Sequence, residues 1–582
     1  MRTTPTSTAT FSRRTFAFML LQAMLWLGIG VAMYMVYEPR GSILNAAVVT
    51  CLLVVSFNYS GALATLCVAA LCRRSSVDEI RTQGPSPVSK AVVSVPCLLS
   101  SRGAVEALLD TLAAHYRSCA GSAAAVVLLA DYVDADKLDE ARAGEDAALL
   151  TVAKDGVDRL NRELGNVFCL LVRGRVWAPT ERIWMGRERK RGKIEAFNRF
   201  LIDPLDCEFE TLCGNTSNLR EVRYVLTLDA DTMLPDNALA RLIEKMDDPS
   251  NASFVMIQPS LRRAVNEPKN FYQWMTTSPF PPLSILQSVF GRSKFVGKGI
   301  YDVRRFQDHL SGRVPDGWVL SHDVLESALL PVGSTDEVFV RDGNPESFEE
   351  SCARLHRWFR GDWQNIPWGI PSALRYAIPE FRKLIRSKVG LVGAWMVQDL
   401  VVRDLHAPAL MVLLWVGCLA QVSQDRLLLG LFVCELALVC MTYLAKRTRG
   451  EATGSSVDLI HLPLGTLFFL ASLPALAWVC VDAAVRSVWR MLVSGRKRLQ
   501  WTASAEFRSQ VELKRFRFWT IVPSSVLGSA LAVASLLVSS AVGLTLSIAW
   551  ILFPVLVTAL ERTPVPVGEA KVTSGARGAT SV

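Results

Sequence analysis

The sequence predicts an α/β domain inserted between transmembrane α-helices. Three observations carry that expectation. Uncharged apolar runs long enough to cross a bilayer sit at both ends of the chain. The stretch between them holds most of the charge. Within that stretch, short β-type runs alternate with helically spaced apolar residues, the pattern of a parallel sheet covered on both faces.

The chain has 582 residues, 51% of them hydrophobic, and a net charge of +9. Residues 15–37 and 41–72 carry no charge, and each run exceeds the roughly 20 residues a crossing needs. Further apolar runs occupy 407–424, 427–445, 462–481 and 518–560, the last long enough for two crossings. Arg2, Arg13 and Arg14 place the N-terminus inside, so after two crossings the insert is cytoplasmic. Ser12-Arg13-Arg14-Thr15-Phe16 faintly resembles a twin-arginine signal, but no small-residue cleavage site follows, and it reads as a cytoplasmic anchor. A basic block follows the run 462–481: Arg486, Arg490, Arg496, Lys497, Arg498, Arg508, Lys514, Arg515 and Arg517. A full crossing would carry that block outside. The expectation is therefore six crossings plus one re-entrant or interfacial segment, broken at Pro463 and Pro474. Glu435, inside the fourth run, lines a polar path or pairs with a neighbouring helix. The thirteen cysteines are scattered without CxxC or Cys/His ligand spacing, which argues against a disulfide framework or zinc site and for a reducing compartment.

The insert is organised around Tyr224-Val225-Leu226-Thr227-Leu228-Asp229-Ala230-Asp231-Thr232. Residues two apart on a strand point the same way, so Asp229 and Asp231 share a face at the strand's carboxyl edge. Such a pair suits a hard divalent cation that also holds phosphate oxygens, although Asp-x-Asp is common in plain turns. Upstream, Ala91-Val92-Val93-Ser94-Val95-Pro96 reads as a first strand, followed by helical spacing at Val105, Leu108, Leu109 and Leu112. The run 123–130 stops at Asp131, with Asp134 and Asp136 just after, and 167–172 is a third strand. Ligands in open α/β sheets bind at the carboxyl edge, which puts Asp131 near Asp229 unless it belongs to a solvated turn.

Trp184-Met185-Gly186-Arg187-Glu188-Arg189-Lys190-Arg191-Gly192-Lys193 is dense in positive charge. It is either a solvated face or a site for a compact anion such as a nucleotide diphosphate. The insert lacks the broad basic excess and aromatic interleaving of a nucleic-acid platform, so no nucleic-acid partner is expected. Gly297-Lys298-Gly299 fails the phosphate-loop pattern, having five residues rather than four after Gly291, yet such a turn brings backbone close to a ligand. Asp323 and Glu326, in Ser321-His322-Asp323-Val324-Leu325-Glu326, are neighbours on a helix face; Asp323 is an N-cap or a general base, and His322 is a second candidate for that base, although a single histidine beside an acid is more often structural. Arg354-Leu355-His356-Arg357-Trp358 offers anion binding and an aromatic face for a sugar ring. From 376 to 404, Phe381, Leu384, Ile385, Val389 and Trp395 mix with Arg382, Lys383, Arg386 and Lys388, the profile of an interfacial amphipathic helix.

Taken in order, these clusters resemble the inverting, membrane-embedded glycosyltransferases of the cellulose, chitin and hyaluronan synthase type. Those enzymes carry a uridine-contacting Asp, a Lys-x-Gly loop, Asp-x-Asp, a catalytic Asp and a Q/RxxRW motif before channel-forming helices. The matching residues are Asp131, Lys190 with Gly192, Asp229 with Asp231, Asp323, and Arg354 with Arg357 and Trp358. A closer resemblance is to the glycosyltransferase core of bacterial cyclic β-1,2-glucan synthases, from about 94 to 506. Leu98-Leu99-Ser100-Ser101-Arg102-Gly103, Glu188-Arg189-Lys190-Arg191-Gly192-Lys193, the stretches 227–232, 297–303, 320–323 and 356–364, and Arg498-Leu499-Gln500-Trp501-Thr502 carry it. Those synthases run to several times this length and add a phosphorylase-like module, for which nothing here stands. The stretch 276–290 is shorter than theirs and has Phe280 where the self-priming enzymes offer a tyrosine; Tyr272 and Tyr301 are the nearest remaining hydroxyls.

The resemblance implies a GT-A-like, nucleotide-sugar-binding cytosolic domain at 73–375 in a multi-pass protein of the bacterial inner membrane. The tail 1–14 and two transmembrane helices at 15–72 precede it. Interfacial helices at 376–404, a transmembrane region with basic cytosolic loops at 405–560 and a disordered tail at 561–582 follow. It further implies inverting transfer of glucose from UDP-glucose onto a growing glycan, with a β-1,2-glucan passed across the bilayer. Asp229 and Asp231 would hold Mg²⁺ or Mn²⁺; Asp131, Lys190, Gly192, Asp229, Arg354 and Arg357 would bind the donor. Asp323 would act as base and Trp358 would stack the acceptor sugar. Accessory export or length-control proteins are further implied partners. The alternatives are a β-1,4 or β-1,3 polysaccharide synthase using another UDP-sugar, and a non-catalytic membrane scaffold or transporter that binds a nucleotide-sugar.

Overall fold

The computed structural model describes residues 12–37, 42–71, 89–119, 121–263, 269–276, 283–384, 389–419, 424–447, 456–500 and 510–564. The soluble part is built on strands β1 (Ala91–Leu99), β2 (Ala123–Tyr132), β3 (Phe168–Arg173), β4 (Val176–Ala178), β5 (Ile183–Met185), β6 (Phe209–Gly214), β7 (Tyr224–Thr227), β8 (Met256–Arg263), β9 (Gly299–Asp302) and β10 (Val332–Asp342). Eight of them form one sheet in the order β10-β8-β9-β7-β1-β2-β3-β6, while β4 and β5 pair separately.

Alternation along the strands sends side chains to two apolar layers. Val93, Val95, Leu99, Val126 and Leu128 join the layer under the helix Arg102–Cys119, whose Val105, Leu108, Leu109 and Leu112 are buried as their spacing predicts. Val92, Ala125, Val127 and Leu129 face the other way, against Ile194, Phe197 and Leu201 of the helix Arg189–Ile202. The sheet is mixed rather than all parallel. Strands β7, β1, β2 and β3 run parallel, but β9 runs antiparallel between β7 and β8, and β6 antiparallel beside β3. A four-residue strand such as β9 carries no directional signal of its own; its neighbours decide which way it runs.

Among the described residues, six helical stretches are long and apolar enough to cross a membrane: Arg13–Met35, Asn45–Leu71, Leu391–Cys418, Leu462–Ser494, Phe518–Leu537 and Ala541–Arg562. Membership of this set corrects the expectation in one place. The segment 462–481 is not broken at its prolines: Ser456–Trp489 is one continuous 34-residue helix containing both Pro463 and Pro474. Proline removes one backbone hydrogen bond, and packing against neighbouring helices sustains the rest. This helix lies alongside the soluble-domain helix Phe348–Gln364. Phe348 meets Phe468 edge-on, His356 Nε2 lies 2.8 Å from Asp482 Oδ2, and Ser487 Oγ donates to the Arg360 carbonyl at 3.1 Å. Its C-terminal end thus reaches the insert, where Leu499 N donates to Glu181 Oε1 and Gln364 Nε2 to the Arg498 carbonyl. The basic residues 496–498 stay beside the soluble domain, as expected.

The helix before the third apolar run, Leu391–Asp404, is followed after Leu405 by His406–Leu419, and the stretch Leu391–Cys418 is together long and apolar enough to cross a membrane. Within Gln424–Arg447, Phe432–Met441 forms a shorter apolar stretch. Glu435 there is buried and paired: Tyr59 Oη donates to its Oε1 at 2.7 Å, and His406 Nε2 lies 2.8 Å away.

Candidate active site

Strand β7 ends in register with β1, Thr227 opposite Ser94, and Leu228 N donates to the Ser94 carbonyl. The chain then leaves the sheet, carrying Asp229 and Asp231 over its carboxyl edge. Two ammonium groups meet Asp229: Lys190 Nζ at 2.5 Å from Oδ1 and Lys298 Nζ at 3.0 Å from Oδ2. Burial opposes the Asp229 charge, but the two lysines outweigh it and hold its pKa far below the usual carboxylate range. Lys298 Nζ is also 3.0 Å from Asp342 Oδ2, and Arg354 Nη2 donates to that same oxygen at 3.0 Å. Asp231 lies close by, since a Cβ placed on Gly343 would come within 2.9 Å of its Oδ2. Burial, then the charges of Asp342 and Asp229, raise the Asp231 pKa. Arg357 sits in the field of all these groups: burial and Arg354 lower its pKa, while Asp229, Asp231 and Asp323 oppose.

Asp323 opens the helix Asp323–Leu329. The turn at Gly297 separates it from Lys190. A Cβ there would lie 3.0 Å from Asp323 Oδ2 and 3.3 Å from Lys190 Nζ, and the backbone is left-handed at φ +86°, so only glycine passes between them. His322 Nδ1 is 2.9 Å from Glu326 Oε1 and 3.5 Å from Asp323 Oδ1. Burial lowers the His322 pKa, but Glu326 and Asp323 more than offset it and the net shift is upward. Among the described residues, these three form a group whose metal-capable atoms lie within 4.8 Å of one another. The helix Phe348–Gln364 clamps the approach to Asp323: Leu320 N donates to Gln364 Oε1 at 2.8 Å, and Gly361 packs directly on Ser321.

The remaining expected residues take distinct places. Lys190 and Gly192 lie on the first turn of Arg189–Ile202, entered through two consecutive left-handed residues, Glu188 (φ 53°) and Arg189 (φ 51°). A side chain at Gly192 would strike the Arg187 carbonyl, at 2.1 Å from its Cβ. Asp131 stands at the same carboxyl edge, one helical turn along: Lys193 Nζ is 3.1 Å from its Oδ2. Its carboxylate is 2% exposed and accepts from Arg173 Nε and Nη2, both at 2.9 Å, so a base reaching Asp131 would have to displace this network. Trp358 is 39% exposed, with the Arg354 guanidinium 4.7 Å from its ring centroid. The Tyr272 and Tyr301 hydroxyls are buried, on Ser351 and Asn198 respectively, and Phe280 lies outside the described residues.

Residue-level reading missed Lys298 and Asp342, which bind this group together. Gly297-Lys298-Gly299 suggests from sequence only a close backbone approach; the lysine held between two glycines was the available signal. Asp342, at the end of β10, had none, because its partners are 44 residues away and 12 residues on.

No family model matches the chain. The chain is 28% identical over 509 residues to the cyclic beta-(1,2)-glucan synthase NdvB of Rhizobium meliloti (strain 1021), an alignment covering 80% of this chain and 17% of that protein. The chain is thus similar to proteins named for glucan synthesis and glucosyl transfer. It is also 28% identical over 171 residues to the glucans biosynthesis glucosyltransferase H of Caulobacter vibrioides, covering 25% of this chain and 24% of the relative. Of these curated relatives, then, the chain spans no more than 24% of the length. Among solved structures it is similar to the mannosyltransferase PcManGT from Pyrobaculum calidifontis in complex with GDP-Man and Mn²⁺. That match is 14% identical, has a TM-score of 0.36, and covers 77% of this chain and 99% of that one.

Proposed function

We propose that the chain is an inverting membrane glycosyltransferase that polymerises a β-glucan, β-1,2-linked, from UDP-glucose. The reading places the soluble domain on the cytosolic side of the bacterial inner membrane and sends the product across the bilayer, with accessory export or length-control proteins as further partners. One observation carries it: Lys190 meets Asp229 and faces Asp323 across the Gly297 turn, and Asp229, Asp231 and Asp323 all act on the Arg357 charge, at the carboxyl edge of an α/β sheet in a chain with helices long enough to span a membrane.

A divalent cation fits the first acid group. Asp231 is crowded by two further carboxylates, and a cation relieves that repulsion. Asp229 and Asp231 would hold Mg²⁺ or Mn²⁺, which lowers the charge cost of the departing diphosphate. Lys190, Arg354 and Arg357 add fixed positive charge where that leaving group collects its electrons. Gly192 lets the helix start approach the donor, and Asp131 with Arg173 and Lys193 forms the wall for the nucleoside. Asp323 takes the proton of the acceptor hydroxyl as its oxygen attacks the anomeric carbon and the bond to UDP breaks. Trp358 presents a ring to the acceptor sugar.

The test is turnover by the purified full chain with UDP-glucose and Mn²⁺ or Mg²⁺, read as UDP release and glycosyl linkage of the product. Expected are 2-linked glucose and no UDP release by Asp323→Asn. A 4-linked or 3-linked product from another UDP-sugar would replace donor and linkage, undiminished release by Asp323→Asn would remove Asp323 as the base, and no UDP release by the wild type would remove the enzyme reading altogether.

A further inference from the structure

The Lys298 ammonium bridges two acids from different strands, 3.0 Å from Asp229 Oδ2 after β7 and 3.0 Å from Asp342 Oδ2 at the end of β10. Its side chain is only 7% exposed. The backbone holds it there on both sides. Gly297 is left-handed and wedged between Asp323 and Lys190, and a Cβ on Gly299 would lie 2.9 Å from the Ile257 carbonyl of β8. The ammonium therefore has little freedom to settle elsewhere. Lys190 also touches Asp229, but it is more exposed and shares its charge with the Gly297 carbonyl.

The charges around this lysine are balanced as they stand. Asp229, Asp231 and Asp342 supply three negative charges, and Asp323 across the Gly297 turn a fourth; Lys190, Lys298, Arg354 and Arg357 supply four positive ones. A divalent cation entering alone would add two positive charges to a neutral, partly buried group that already contains an ammonium between two of its acids. A cation entering with a nucleotide diphosphate brings its own compensating charge, and the diphosphate offers Lys298 a new partner.

We propose that Lys298, seated between Asp229 and Asp342, is a resident counter-ion that neutralises Asp229, one of the two acids that would hold the cation, until metal and nucleotide diphosphate bind together. The proposal rests on the donor site described above. Its consequence is a strong, reciprocal coupling: UDP raises metal affinity and metal raises UDP affinity by the same factor. The lysine makes the pocket indifferent to free metal and selective for the metal–diphosphate pair.

Mn²⁺ binding to the purified full chain, read from the free-ion EPR signal with and without saturating UDP, tests this without any turnover. In the wild type, UDP should tighten Mn²⁺ binding by about tenfold or more. Lys298→Gln should bind Mn²⁺ about tenfold more tightly than the wild type in the absence of UDP and lose most of the enhancement. Lys298→Arg keeps the charge and should keep the wild-type pattern. Equal Mn²⁺ affinity with and without UDP in the wild type overturns the proposal, and that arm stands even if Lys298→Gln fails to fold. Unchanged UDP-free affinity in a folded Lys298→Gln overturns it too. Tight but UDP-independent Mn²⁺ binding leaves the donor site in place and removes only the counter-ion; absence of any UDP binding, with or without Mn²⁺, removes both.

Discussion

Two groups of carboxylates lie on either side of the Gly297 turn, and their surroundings differ in kind. Asp229, Asp231 and Asp342 come from two strand ends and meet Lys190, Lys298, Arg354 and Arg357. Asp323 and Glu326 come from a single helical turn and share one histidine. Beyond them, burial raises the Asp362 pKa well above the usual range, against the pull of Lys294 and with the help of the Asp323 charge. The first group is rich in fixed positive charge that no proton transfer removes. The second is rich in acid and is neutralised, where at all, by groups that exchange protons. A leaving diphosphate suits the first environment, and a proton removed from an attacking hydroxyl suits the second.

The largest expected effect breaks this contrast from the acid side. Asp323→Asn should reduce UDP release by about 10³-fold while leaving Mn²⁺-dependent UDP binding within about threefold of the wild type. Turnover that survives would place the base elsewhere.

Next is a difference in stability between the two groups. Asp342 is 1% exposed, and its neutralisation in Asp342→Asn leaves Lys298 and Arg354 without their shared partner, a loss of about 3 kcal/mol in denaturant or thermal unfolding. Glu326→Gln should cost about 1 kcal/mol, because His322 can release its proton when its partner loses charge and a lysine cannot do so as readily. Equal losses would mean that proton exchange does not distinguish the two groups.

Substituting Trp358 probes the rim between them. Trp358→Ala should raise the acceptor KM by about fivefold and leave donor affinity unchanged, as removal of one sugar-facing ring would. A matching change in donor affinity would show that its stacking with Arg354 matters more than its exposed face.

The smallest expected effect is a slope. A carboxyl whose folded pKa is raised, as that of Asp362 is, holds an extra proton in the folded state above the unfolded pKa of about 4. Its stabilising effect is complete at lower pH and is lost as pH rises through the folded value. The wild-type thermal midpoint should therefore decline from pH 5 to pH 8, and Asp362→Asn should flatten that decline. An unaltered slope would exclude Asp362 as its source.

Much of this molecule is set by local pattern. Alternating apolar residues place Val92 and Val93 on opposite faces of β1, helical spacing buries Leu108, Leu109 and Leu112, and long uncharged runs become membrane-length helices. The positions of Asp229, Asp231 and Asp323 were legible for the same reason, since strand ends and helix starts are local features. Tertiary structure alone decided the direction of β9, the continuity of Ser456–Trp489 through two prolines, and the lodging of Lys298 between Asp229 and Asp342. Periodicity acts through neighbours within a few residues. An ion pair across 44 residues, or a helix sustained by packing, depends on what folding brings alongside, and a single stretch of chain carries no trace of it.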